Sequence, residues 1–255
     1  MYSEDRIKSP IYFDAICWRE INPPLFWYKG EPVVTHFFNA LSMGIPETER
    51  FLVRTLKRFE NDIENNELKQ KIRQFISEEN SHSLQHTKFN YEWKRKLYPV
   101  DFSMKFSRFG FKFLEKFFSR KMCLAFTVIL EHMTAVIASY GFEKEIMLEN
   151  ESEIFDLFIW HAFEELNHRS LAYDVYQELG LGYFRRLFAV LYITQVFFSG
   201  VFILQFRCIL TDLWLRRGIK IKHFWYAIKF FLGKGGMLSG SFKNYFSIYK
   251  WKFIP

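Results

Sequence analysis

Two stretches of this chain carry the same pair of ionisable side chains at the same spacing. They are Glu79-x-x-His82 in EENSH and Glu165-x-x-His168 in EELNH, 86 positions apart. An α-helix turns ~100° per residue, so positions i and i+3 lie ~60° apart and share one face. His86, seven after Glu79, and His161, seven before His168, fall within ~20° of the same stripes. The neighbours are apolar: Phe75, Ile76 and Phe89 in one run, Ile159, Trp160, Phe163, Leu166 and Leu171 in the other. A carboxylate and an imidazole buried among such residues each need a partner. The polar stripes therefore face something inside the fold.

Glu131 extends the pattern. It sits in VILEHMTAV, an apolar run with no Lys or Arg within one turn. Glu49 lies ahead of the first Glu-x-x-His element, so the chain order is Glu49, Glu79-x-x-His82, Glu131, Glu165-x-x-His168. A four-helix bundle can hold two metal ions with one Glu from each of two helices and Glu-x-x-His from each of the other two. Four carboxylates neutralise two divalent ions. Nitrogen plus oxygen donors suit iron foremost, with manganese or zinc as alternatives. The competing assignment is a set of structural polar residues that satisfy one another. A single Glu-x-x-His is common on solvated helix faces; the ordered set of four is the specific signal.

His86 and His161 are candidates for acid–base work, for further ligands or for outer hydrogen-bond donors. Glu78 and Glu164 lie ~100° from their neighbours, off the metal-facing stripe. His132 points sideways from Glu131 as an outer hydrogen-bonding candidate, and His36 and His223 lack any spacing partner. No H-E-x-x-H, G-x-S-x-G, Walker loop or dinucleotide fingerprint occurs.

These residues must be positioned by helices. Residues 1–46 read as an aromatic N-terminal lead-in interrupted by Pro10, Pro23, Pro24, Pro32 and Pro46, which argues against long helices there. Pro46-Glu47-Thr48-Glu49 reads as a helix start. Further helical runs are expected over about 67–97, 121–146 and 152–179, with a short amphipathic piece within 101–120. No stretch alternates with period two long enough to argue a sheet. The expected organisation is a metal-binding bundle over 47–182 and a hydrophobic, basic extension over 183–255, packed on the bundle or on a membrane.

The 255 residues allow a substantial core, and the 49% apolar content argues against disorder. Phe alone accounts for 32 residues, and the net charge is +7, concentrated after Leu181. That balance suits an anionic membrane surface, nucleic acid or an ordinary solvated face; no motif specifies nucleic acid. Leu187 to Phe206 is a run of 20 residues without charge, flanked by Arg185, Arg186 and Arg207. It is just long enough to cross a bilayer, or to form a fully buried helix. Cys17, Cys123 and Cys208 form no disulfide framework, which fits a reducing compartment. MYSEDRIKSP has no apolar core of a secretory signal. The expected location is cytoplasmic, with attachment to the inner face of a membrane through 187–206 as one option. The GKGG turn in the tail, Gly233 to Gly236, is not a phosphate loop.

At the candidate residues the chain resembles a family of predicted metal-dependent hydrolases. The matching pieces are NALSMGIPETERF (Asn39 to Phe51), EENSHSLQH (Glu78 to His86), ILEHMTA (Ile129 to Ala135) and WHAFEELNHRSLAYDVY (Trp160 to Tyr176). Thr48 stands where family members generally have Gly, and Glu78 where they often have Gln. The C-terminal ending is reduced to KFIP. The resemblance implies metal dependence and an all-α, ferritin-like four-helix bundle, here with an additional hydrophobic helical C-terminal extension. The expected protein is a metal-dependent enzyme with a dinuclear Glu/His site. An iron pair would activate dioxygen for oxidation of a small apolar substrate; a zinc or manganese pair would activate water for hydrolysis. The alternative from another class is a non-catalytic metal-binding or structural bundle associated with a membrane.

Overall fold

Asn65 and Ser119 begin two of the long helices, and both use their side chains as the sequence pattern demands. The Asn65 side chain accepts from the backbone N–H groups of Glu67 and Leu68, and Ser119 accepts from Met122. Each satisfies donors that a helix start otherwise leaves unpaired. The computed structural model describes residues 10–14, 16–144, 153–250 and 253. They form α1 (Pro10–Asp14), α2 (Trp18–Ile21), α3 (Pro32–Lys57), α4 (Asn66–Arg95), α5 (Val100–Phe117) and α6 (Arg120–Glu143). These are followed by α7 (Glu153–His168), α8 (Leu171–Glu178), α9 (Tyr183–Trp214), α10 (Ile221–Leu232), α11 (Met237–Tyr245) and a 3₁₀ turn, Phe246–Tyr249. Among the described residues there is no strand, so the fold is all-α. Most of MYSEDRIKSP, and the expected helix ends at Ile146 and Ser152, lie outside the described residues.

The helix expected to start at Pro46 starts at Pro32 instead, and Pro46 lies inside it. An interior proline removes an N–H and crowds the carbonyl four residues back, at a cost of ~3 kcal/mol. That carbonyl belongs to Ser42. Asn90 Nδ2 on α4 donates to it at 2.7 Å, replacing the missing bond. Ser83 Oγ on the same helix donates to the Pro46 carbonyl at 3.3 Å. The N-terminal half of α3 also buries Val34, Phe37, Phe38 and Met43. At ~1.5–3 kcal/mol for each large apolar side chain, that burial outweighs the proline. The boundary expected at 46/47 thus falls within one continuous helix.

The run expected over 152–179 is two helices, broken at Arg169 and Ser170. The break turns the chain after His168, so that His168 stays with the polar residues of α7. Leu171, Ala172, Val175 and Tyr176 of α8 join a different apolar cluster.

Two apolar clusters build the core. One gathers the N-terminal half of α3, the C-terminal part of α4, α7 and the C-terminal half of α9. The other gathers the C-terminal half of α3, the N-terminal part of α4, most of α6, α8 and the start of α9. On α3, on α4 and across α7–α8, the buried carboxylates and imidazoles occupy the level between these clusters. The fold thus closes a polar chamber with hydrophobic walls above and below.

The uncharged run 187–206 lies within α9, a helix of 32 residues packed on α3 and α6. By length and composition both α6 and α9 could cross a membrane. Their environments differ: 78% of the apolar window of α6 is buried inside the protein, against 22% for α9. Polar contacts pin α9 to the bundle. Asp212 is fully buried and meets His36 Nε2 at 2.6 Å, Tyr98 Oη at 2.7 Å and Arg217 Nη1 at 3.3 Å. His36, which has no spacing partner in the sequence, finds its partner here. Gln205 Nε2 donates to the Val33 carbonyl at 2.9 Å, and Arg186 Nη1 donates to Tyr173 Oη at 3.0 Å.

Candidate metal centre

Four helices point acidic and imidazole side chains into the chamber. α3 contributes Glu49; α4 contributes Glu79, His82 and His86; α6 contributes Glu131; α7 contributes His161, Glu165 and His168. Every one is at most 7% exposed. The i, i+3 spacing brings each Glu-x-x-His pair together: Glu79 and His82 meet at 3.3 Å, and Glu165 and His168 have donor atoms within 4.8 Å of each other.

The donor atoms form two compact groups, each within 4.8 Å. One consists of Glu49, His82, His161 and Glu165; the other of Glu79, Glu165 and His168. Glu165 belongs to both. His161 Nε2 lies 3.1 Å from Glu165 Oε1 and 3.7 Å from Glu49 Oε1. His82 Nδ1 lies 3.9 Å from Glu165 Oε1. His168 Nδ1 approaches Glu79 Oε1 to 2.7 Å, yet neither atom has hydrogen-bond alignment to any partner. Glu49 Oε2 and both oxygens of Glu131 are likewise buried without a hydrogen bond. Burying such atoms unpaired is costly, and a set of them converging on one space is what bound cations resolve.

Glu131 shares the chamber, since Glu165 and Glu79 act on its charge, but it stands outside both compact groups. His86 also stands outside them. It meets His161 Nδ1 through Nε2 at 3.0 Å and Ser42 Oγ through Nδ1 at 2.9 Å. His132 is not part of the chamber. Its Nε2 meets the Tyr245 carbonyl at 3.1 Å and its ring packs on Phe253, so it fastens α6 to the C-terminal segment. His223 is half-buried, and its Nδ1 accepts from the Lys220 N–H at the start of α10.

Glu78 and Glu164 have a role that the stripe geometry does not reveal. Glu164 on α7 meets His82 Nε2 of α4 at 2.8 Å; Glu78 on α4 meets His168 Nε2 of α7 at 2.8 Å. Each doubled Glu-Glu-x-x-His thus reaches across to hold the other copy's imidazole by its outer nitrogen. The inner Nδ1 is left facing the chamber. A carboxylate behind an imidazole fixes its tautomer and raises its basicity toward a metal. The doubling of Glu in both copies was the sequence signal for this. Thr134, one turn after Glu131, donates to Glu165 Oε2 at 2.7 Å and was also missed.

The charge states follow from the surroundings. Burial, then Glu79, raises the Glu49 carboxyl well above its usual range. Burial, then Glu165 and Glu79, does the same to Glu131. Burial also opposes ionisation of Glu79, but the hydrogen bond from Glu49 and the neighbouring imidazoles outweigh it and hold Glu79 well below the usual range. Burial and Glu79 push Glu165 up, but His161 and His168 outweigh them and bring it down. For His82, burial is outweighed by Glu79 and Glu164, and its pKa rises to about 9. For His168, burial is outweighed by Glu78 and Glu79, and its pKa rises to about 12. Burial, with its imidazole neighbours, holds His86 well below its normal value, and His161 is also lowered.

Among the described residues, the ion pairs of Glu49, Glu79 and Glu165 are with histidine rather than Lys or Arg. A chamber with four carboxylates, no Lys or Arg paired with them among the described residues, and unpaired inward donors fits divalent metal ions in an oxygen- and nitrogen-rich site. The sequence model of a family described as predicted metal-dependent hydrolase matches residues 15–255. Comparison with curated proteins finds no match, and neither does comparison with solved structures.

Proposed function

The chain belongs to the family of predicted metal-dependent hydrolases, and from that premise we propose an enzyme with two divalent ions, iron foremost, acting on a small apolar substrate with dioxygen. The observation that carries this reading is the sharing of Glu165 by two donor groups in a water-excluding chamber. Glu49, His82, His161 and Glu165 would hold one ion. Glu79, Glu165 and His168 would hold the other, with Glu131 beside them. When bound, an iron pair supplies the electrons and open positions that dioxygen chemistry needs. The chain supplies orientation and dryness. Glu78 and Glu164 fix the two imidazoles, and Phe75 and Trp160 pack edge-on against His168 and His82 at 4.8 Å between ring centres.

Hydrolysis is the second reading, favoured by the description of the family. A zinc or manganese pair lowers the pKa of a bound water. Elemental analysis of protein purified without added metal separates the two, combined with oxygen uptake after reduction and turnover of an ester panel. About two irons per chain with oxygen uptake is the expected result. Zinc or manganese with ester turnover and no uptake selects hydrolysis. Protein that takes up no ion at all sinks both and leaves a structural bundle.

We propose further that the protein lies on an anionic membrane by a face made of α5, α9 and α10. On α5, Phe102, Phe106, Phe109, Phe113 and Phe117 form one exposed stripe, with Lys105, Lys112 and Lys116 among them. α9 runs alongside: the Arg207 guanidinium lies 4.0 Å from the Phe102 ring, and Phe118 packs on Tyr192 at 5.2 Å. α9 exposes Phe184, Phe188, Phe202 and Phe206, and α10 exposes Ile221 and Trp225. Because Asp212, Gln205 and Arg186 tie α9 to the bundle, it rests along the surface rather than leaving the protein to span. An exposed Phe stripe bordered by Lys is the pattern of an interfacial helix. Each basic residue near anionic lipid adds ~1 kcal/mol. Full-length protein should therefore float with anionic vesicles and much less with neutral ones. Phe106→Glu with Phe109→Glu should lower that binding ~10-fold or more, from lost apolar burial and added repulsion. Protein that stays unbound to anionic vesicles counts against this face.

A further inference from the structure

Ser42 and Asn90 lie beside the metal chamber, and His86 lies in it outside both donor groups. Their hydrogen bonds can be assigned one after another, because the first partner has no freedom. The Ser42 carbonyl, left open by Pro46, can only accept, so the Asn90 atom 2.7 Å away is the amide nitrogen. The other amide atom is then the oxygen, and it lies 2.9 Å from Ser42 Oγ. The hydroxyl has one proton and gives it to that oxygen. Toward His86 Nδ1, at 2.9 Å, Ser42 Oγ therefore presents a lone pair, and Nδ1 carries a proton. In a neutral imidazole the other nitrogen is then an acceptor. His86 Nε2 meets His161 Nδ1 at 3.0 Å, so His161 Nδ1 must donate.

The remaining nitrogen, His161 Nε2, faces Glu165 Oε1 at 3.1 Å and Glu49 Oε1 at 3.7 Å. The His161 ring stacks on His82 at 4.1 Å with an interplanar angle of 8°, which holds it in that direction. Three acceptor atoms aimed at one point are the arrangement that a cation resolves.

We propose that the Asn90–Ser42–His86 chain sets the tautomer of His161, so that His161 Nε2 is a direct ligand of the ion held by Glu49, His82 and Glu165. This inference rests on the metal reading above. It makes the two positions unequal: one has two imidazoles, the other only His168. Softer nitrogen-favouring ions would prefer the first and oxygen-favouring ions the second. His86, Ser42 and Asn90 become positioning residues that act through His161.

The test uses full-length protein with ¹⁵N-labelled histidine, loaded with cadmium-113. His161 Nε2 should show coupling to the metal while Nδ1 keeps its proton. A proton on His161 Nε2, or no coupling with two ions bound, overturns the proposal and leaves the two-ion reading intact. Stoichiometry is the second readout. His161→Ala should drop the zinc content from two ions to one. Ser42→Ala should weaken one ion by ~10–100-fold and leave the other unchanged. Wild-type affinity for both ions in both variants overturns the assignment. Wild-type protein that binds neither cadmium nor zinc removes the metal reading itself.

Discussion

Glu165→Ala should empty both metal positions at once. Glu165 is the residue common to the two donor groups, so its loss removes an oxygen from each and one negative charge from the chamber. Even an outer hydrogen-bonding partner of a metal ligand is worth ~10–100-fold in affinity, so a ligand shared by two ions should cost at least ~100-fold for each. Metal per chain, measured after desalting, should fall from two to near none. Helical content should persist. The residue lies between the two apolar clusters rather than in either, and Thr134 can still donate to the Leu130 carbonyl at 3.2 Å or the Glu131 carbonyl at 3.0 Å. Glu131→Ala supplies the comparison. Glu131 is buried but outside both groups, so it should weaken binding without abolishing it. If Glu165→Ala keeps two ions, the shared position is wrongly placed.

The parts of this site that were legible in the sequence are those fixed by local geometry. An i, i+3 or i, i+7 relation needs nothing but a helix, and Glu79, His82, His86, His161, Glu165 and His168 all converge as their spacing requires. Glu131 was legible because a carboxylate in an apolar helix has few other reasons to be there. What was not legible depends on residues far away in the chain. Pro46 reads as a helix start because its neighbours suggest one; the group that lets the helix continue is Asn90, 44 positions further on. His36 has no visible partner because Asp212 is 176 positions away. Glu78 and Glu164 are turned off the stripe of their own helices, and only the pairing of α4 with α7 shows that each serves the opposite imidazole. The periodicity over 67–97 and 121–146 matches α4 and α6, but the break at Arg169 and Ser170 follows from which cluster each half packs into, and that is a tertiary choice.

Metal loading should expel about four protons per chain near neutral pH, the number that keeps the buried charge balanced when two divalent ions enter. The chamber without metal compensates its carboxylates with protons. His82, raised to about 9, and His168, raised to about 12, are both charged at pH 7. Burial, with the neighbouring carboxylates, raises Glu49 and Glu131 well above the usual carboxyl range and so favours their protonated forms. Each of these four must shed a proton before its lone pairs can face an ion. Glu79, lowered, is already ionised, and His86 and His161, both lowered, are already neutral, so none of them adds to the count. The sign is fixed: protons compete with metal, so affinity rises with pH. The slope approaches about four log units per pH unit while all four protons remain, and it flattens as these groups titrate, His82 at about 9. Calorimetric zinc titrations in buffers of different ionisation enthalpy measure the count directly. A value near zero at pH 7 would mean that the chamber is already deprotonated and that its carboxylates are balanced in some other way. Glu131→Gln gives the sharper comparison. The amide has the shape of the protonated acid but no proton to lose, so the variant should bind its metal with about one proton fewer released. An unchanged count would take Glu131 out of the charge balance of the site.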